Sequence, residues 1–87
     1  MQEAEIYAGL TEIFNEIFLR DDIVLHAGTT ASDIEGWDSF KQVEIIITVE
    51  ERFSCKFHTR EIDGLGNVGD LVRVVLSKWG KDDRIAG

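Results

Sequence analysis

Gly36-Trp37-Asp38-Ser39-Phe40 runs without a break into Lys41-Gln42-Val43-Glu44-Ile45-Ile46-Ile47-Thr48-Val49-Glu50-Glu51-Arg52-Phe53. A glycine-containing loop turns here into an amphipathic helix spanning residues 39 to 53. At roughly 100° per residue, Ile45, Ile46, Val49 and Phe53 fall on one side, while Phe40, Val43 and Ile47 fall nearly opposite. One apolar side is enough to reach a core. The second, bordered by Glu44 and Glu51, has the composition of a docking surface, since apolar groups give contact area and carboxylates orient a basic partner. The same stripe could instead pack on a neighbouring helix, Val43 more readily than Phe40.

Working outward, Ile6, Leu10, Ile13, Phe14 and Ile17 share one face of a first helix from about residue 3 to residue 19. Residues 20 to 38 keep no sustained period and read as a long ordered loop, pinned to the core by Ile23, Leu25 and Ile34. A short helical turn is predicted over 59 to 63. Gly64-Leu65-Gly66-Asn67 then turns into a last helix, with Asn67 placed to cap it. Val68, Leu71, Val72, Val75, Leu76 and Trp79 keep helical spacing as far as Gly80, a good terminating residue. Trp79 is expected at the edge of the core, and residues 81 to 87 are expected to fray. No segment alternates apolar and polar residues over strand length. The fold class is therefore all-α: a small antiparallel bundle of three main helices plus one short one, with a long loop between the first two.

A chain of 87 residues holds one core, so residues 1 to 87 form a single domain. Seventeen acidic against nine basic side chains give a net charge of −8, which repels nucleic-acid backbones and anionic membranes and favours basic protein partners. No apolar run approaches bilayer length and no leader-like segment opens the chain, so a cytoplasmic, monomeric protein is expected. Cys55 cannot form an internal disulfide and is expected half-buried and inert. With only two histidines beside it, no metal site is expected.

Ser39 admits several readings. Ser39-Phe40-Lys41-Gln42 fits a Ser-x-x-Gln capping box, in which the hydroxyl merely satisfies a backbone N–H. Ser39 with His26 or His58 could be drawn as a hydrolase triad, but there is no Gly-x-Ser-x-Gly elbow and little room for a substrate pocket. The literal Gly64-Leu65-Gly66-Asn67-Val68-Gly69 pattern lacks the preceding strand and βαβ unit that a dinucleotide site requires.

Asp38-Ser39-Phe40, Val43-Glu44, Glu50-Glu51, Phe53, Phe57 and Val68-Gly69-Asp70-Leu71-Val72 together resemble the acyl carrier protein family, without a gap from Asp38 to Val75. Asp33-Ile34 resembles the family's Asp-Leu pair upstream, with one extra residue between. The first helix is similar only in pattern. The resemblance implies that Ser39 carries a 4′-phosphopantetheine arm, delivered from coenzyme A by a phosphopantetheinyl transferase, and that the arm holds acyl groups as thioesters. It implies that Asp38 helps to present the serine to the transferase and its magnesium. It also implies that Phe40, Val43, Glu44, Ile47 and Glu51 meet the acyl-loading and acyl-processing enzymes through their basic docking surfaces.

Phe40 stands where fatty-acid carriers usually have leucine, Trp37 where they have a small residue, and Lys41 where they have an acid; His58 replaces a frequent proline. These departures point away from a housekeeping fatty-acid role and toward a specialised, free-standing acyl or polyketide carrier. Trp37 also weighs against an aminoacyl or peptidyl carrier. The competing functions are an acidic helical interaction module in which Ser39 only caps, and a small esterase. On the carrier reading the protein is not an enzyme; it serves separate enzymes of fatty-acid, polyketide or related biosynthesis.

Overall fold

The computed structural model describes residues 2–86, with side-chain surroundings for residues 2–78. All regular structure among the described residues is helical: α1 (Glu3–Ile17), a 3₁₀ turn (Ala31–Asp33), α2 (Ser39–Phe53), α3 (Thr59–Asp63) and α4 (Val68–Ala86). The all-α bundle expected from the sequence is thus present, with α1 packed against both α2 and α4.

α1 begins where Glu5 reaches back to accept the Gln2 N–H at 2.9 Å, and it buries Ile6, Leu10, Ile13 and Phe14. It stops two residues before the predicted end, because Leu19 takes a left-handed φ of 55°. Gly9 lets α1 approach α2 closely: a Cβ there would lie 2.8 Å from the Phe53 ring. Ile45, Ile46, Val49 and Phe53 are the buried side of α2, as their spacing predicts, and Val68, Leu71, Val72 and Val75 of α4 belong to the same core.

The loop from 20 to 38 is pinned by buried Ile23, Leu25 and Ile34, and also by hydrogen bonds that its sequence does not announce. Asn15 on α1 accepts the Ile23 N–H at 2.9 Å, standing in for a missing backbone partner. Further on, Thr29 is buried and its hydroxyl accepts the His26 N–H at 2.9 Å. The carbonyls of Thr29 and Ala27 then accept the N–H groups of Val68 and Gly69, each at 2.8 Å, and Asn67 Oδ1 accepts that of Asp70 at 2.9 Å. Three of the donors that the start of α4 would leave unpaired are satisfied in this way. Gly69 is required for the approach, since a Cβ would come within 2.9 Å of the Ala27 carbonyl.

α3 is a single short turn with no buried residue. Glu61 secures it, accepting the His58 N–H at 2.8 Å and pairing with Lys78 on α4 at 3.0 Å. These contacts, the His58 N–H first and Lys78 second, hold the Glu61 carboxyl below the usual range. α4 corrects one expectation: it continues through Gly80 to Ala86, where the sequence reading ends the helix and starts a frayed tail. A lone helical glycine costs only about 1 kcal/mol relative to alanine, and no proline follows to stop the backbone. The expected place of Trp79 at the core edge lies outside the described side chains, and Gly87 lies outside the described residues.

Truncating Phe53 to alanine removes the ring packed against Gly9 of α1 and should cost about 3 to 5 kcal/mol. Urea unfolding at neutral pH checks the figure, and a loss below about 1 kcal/mol would contradict the packing described.

Candidate modification site and its helix

The start of α2 is set by Asp38. Its backbone is extended and its Oδ1 accepts the Lys41 N–H at 2.9 Å, the geometry of an N-cap. Ser39 is therefore the first residue inside the helix and not the cap, which corrects the capping-box reading of its hydroxyl. Asp38 competes for that role with a charged acceptor, and a carboxylate at a helix N-terminus also gains from the macrodipole. Gln42, which the capping box would turn back toward Ser39, instead accepts the Trp37 indole N–H at 2.8 Å. Ser39 is exposed, and among the described residues no side chain or backbone group hydrogen bonds its hydroxyl.

Beside Ser39 lies a cleft of about 450 Å³. Ile45 and Ile46 of α2 line it from one side, Leu65, Val68 and Leu71 from the other, and Trp37, Asp38 and Ser39 lie at its margin. Neither His26 nor His58 is among its lining residues, so no triad forms around Ser39. The glycines of the Gly-x-Gly-x-x-Gly pattern are occupied as well. The Gly64 N–H bonds the end of α3, the Gly66 N–H donates to Asp70 Oδ2 at 2.9 Å, and Gly69 abuts Ala27. Among the described residues no cluster of His, Cys, Asp or Glu could hold a metal ion, and no helix is long and apolar enough to cross a membrane.

The second side of α2 faces outward. Phe40 is 85% exposed, Val43 58% and Ile47 51%, an uncovered apolar stripe that starts one residue after Ser39. Glu44 and Glu51 are exposed along it, and Glu44 is met by Lys41 at 3.5 Å. The structure thus brings the candidate residues Asp38, Ser39, Phe40, Val43, Glu44, Ile47 and Glu51 onto one end and one face of a single helix. Sequence reading missed the Trp37–Gln42 bond and the cleft. The signal for the first was present, since Trp37 and Gln42 stand five apart across a helix start, where capping pairs meet.

No family model matches the chain. Individual proteins do. The acyl carrier protein of Kineococcus radiotolerans is 34% identical over 79 residues, covering 90% of this chain and 96% of that protein. The acyl carrier protein of Acidothermus cellulolyticus is 31% identical over 86 residues, covering 88% and 92% respectively. The meromycolate extension acyl carrier protein of Mycolicibacterium aurum is 31% identical over 74 residues, covering 84% and 75%. Among solved structures, the holo acyl carrier protein from Geobacter metallireducens matches with a TM-score of 0.84 and 37% identity over 91% of each chain.

The cap assignment separates two neighbouring substitutions. Asp38→Ala should cost about 1 kcal/mol through loss of the cap, whereas Ser39→Ala should change stability by less than about 0.5 kcal/mol. Urea unfolding of the two variants against wild type measures the difference, and the reverse order would return the cap to Ser39.

Proposed function

The chain belongs to the acyl carrier protein family, and on that premise we propose that Ser39 is the attachment point for its phosphopantetheine group. It is a carrier and not an enzyme, its prosthetic group is phosphopantetheine, and it works with an activating transferase and with biosynthetic enzymes. The observation that carries the assignment to Ser39 is an exposed hydroxyl with no partner of its own, held at the first position of a helix whose cap is supplied by the residue before it.

The residues present fit the group. Ser39 offers an oxygen that no other bond competes for, and Asp38 leaves one carboxylate oxygen clear of its cap bond, available to a magnesium ion or a cationic group on the transferase. A serine hydroxyl is a weak nucleophile near neutral pH, and among the described residues no base hydrogen bonds it; the transferase has to accept its proton. When bound, the arm supplies a thiol that takes acyl groups as thioesters. The cleft beside Ser39 gives apolar surface next to the attachment point.

Phe40, Val43 and Ile47 supply the contact area for visiting enzymes, and Glu44 and Glu51 orient basic docking surfaces onto it. Carrier encounters are brief and repeated, so a small apolar contact with charge-steered approach suits them. Phe40, Trp37 and Lys41 support service in specialised acyl or polyketide assembly, with the chain acting as one monomeric carrier domain over residues 1 to 87 in the cytoplasm.

Incubation with coenzyme A, magnesium and a broad-range phosphopantetheinyl transferase should add one phosphopantetheine to the wild-type chain and none to Ser39→Ala, read by intact mass. An arm on the alanine variant, or none on wild type with several transferases, would remove Ser39 from the role.

Reversing Glu44 and Glu51 to lysine should slow modification at low salt without unfolding the helices. Added salt should narrow the gap to wild type by screening over about 10 Å at 0.1 M. Equal rates at low salt would contradict docking through this face.

A further inference from the structure

Trp37 stands one residue before the Asp38 cap, and Gln42 is the fourth residue inside α2. These are the two places where an apolar pair ordinarily staples an incoming chain to the first helical turn and fixes its entry angle. Here the staple is a hydrogen bond. The indole N–H donates to Gln42 Oε1 at 2.8 Å in a partly buried setting. The other end of the indole is anchored in the core, its ring meeting that of Phe14 edge-on with centroids 5.1 Å apart and planes at 79°. Phe14 is fully buried, so the residue before the cap is tied to α1 and to α2 at once.

The backbone also ties this corner back, the Trp37 N–H donating to the carbonyl of buried Ile34 at 3.3 Å, but no capping box adds to it. A capping box would return a side-chain acceptor from the third helical residue to the cap N–H, but that residue is Lys41, which has none to offer and turns to Glu44 instead. Gly36 enters the corner with a φ of +91°, so the direction of the next peptide is set by the contacts of Trp37, its N–H to Ile34 and its indole to Gln42 and Phe14. Ser39 itself is held by nothing through its side chain. Its aim is inherited from its neighbours.

We propose that Trp37 is a positioning residue for modification of Ser39, acting through its hydrogen bond to Gln42. The inference rests on Ser39 being the attachment point. In that transfer the Ser39 O–H bond breaks and a bond forms from Oγ to the pantetheine-bearing phosphorus of coenzyme A. The bond from that phosphorus to adenosine 3′,5′-bisphosphate breaks, and the serine proton passes to a base of the transferase. An in-line attack of this kind is sensitive to the direction from which the oxygen approaches. The indole staple fixes that direction without touching the reacting atoms.

Three substitutions separate the hydrogen bond from the packing. Trp37→Phe keeps an aromatic ring against Phe14 and removes the donor, Gln42→Leu keeps volume and removes the acceptor, and Gln42→Glu keeps an acceptor. The kcat/KM for transfer from coenzyme A, read by intact mass with a broad-range transferase and magnesium, should fall about three- to tenfold in Trp37→Phe and in Gln42→Leu. Gln42→Glu should stay within about twofold of wild type. The double variant Trp37→Phe with Gln42→Leu should be no slower than either single, because both remove the same bond. Hydrogen exchange at the Lys41 and Gln42 amides should speed up in the two slow variants and not in Gln42→Glu. If wild type is modified and Trp37→Phe and Gln42→Leu match its rate, the positioning role is overturned while the attachment at Ser39 stands. Gln42→Glu as slow as Gln42→Leu, additive losses in the double variant, or slowing without faster exchange would overturn it too. A wild-type chain that takes no arm at Ser39 overturns the attachment and this inference together.

Discussion

A single hydrogen bond, from the Lys41 N–H to the Asp38 carboxylate, decides what Ser39 is. An α-helix leaves its first N–H groups without internal partners, and a serine next to such a terminus is ordinarily drawn in to satisfy one of them. Asp38 takes that place. The hydroxyl one residue later is left exposed, with no hydrogen-bond partner among the described residues, and the helix then carries its register down to Phe53. One face of that register reaches Ile45, Ile46 and Val49 in the core, and the other holds Phe40, Val43 and Ile47 at the surface. Site, core and outward stripe are three results of one helix start.

The end of the molecule that faces this start is fixed in a different way. The carbonyls of Ala27 and Thr29 serve as caps for α4, so the long loop and the last helix hold each other in place through backbone groups. The loop supplies acceptors that the first N–H groups of α4 lack within the helix, and α4 supplies donors to the carbonyls of Ala27 and of buried Thr29. Thr29 is the hinge of the arrangement, buried and bonded through both its hydroxyl and its carbonyl. Because Val68 and Leu71 line the cleft beside Ser39, the wall across from α2 is held in place by a segment from the other half of the chain.

These two ends differ in how far the sequence reveals them. α2 was readable at both limits, because a cap residue opens it and its two apolar faces persist as far as Phe53. The apolar pins Ile23, Leu25 and Ile34 were readable by residue type, and so was the Asn67 cap. The loop-to-α4 tether was not, since a backbone carbonyl is the same in every residue; only Gly69 hints at a close approach. Gly80 misled because glycine favours a helix end without enforcing one. At the site, Asp38 and Ser39 are both good caps and stand side by side, so spacing alone could not say which of them pairs with the first turn. Charge decides it in the fold, and Gln42, freed from the serine, takes the indole.

An uncovered aromatic on a helix surface is ordinarily an invitation to self-association, and Phe40 lies 85% exposed with Val43 and Ile47 in line behind it. The stripe is the same on every copy, so two chains meeting through it would also bring two sets of Glu44 and Glu51 together, on molecules that each carry a net charge of −8. That repulsion acts only between like copies; a cationic visitor feels attraction at the same place. On the proposed docking role, the acids would sort collisions by charge, leaving the hydrophobic surface open to a cationic visitor while opposing contact between like copies.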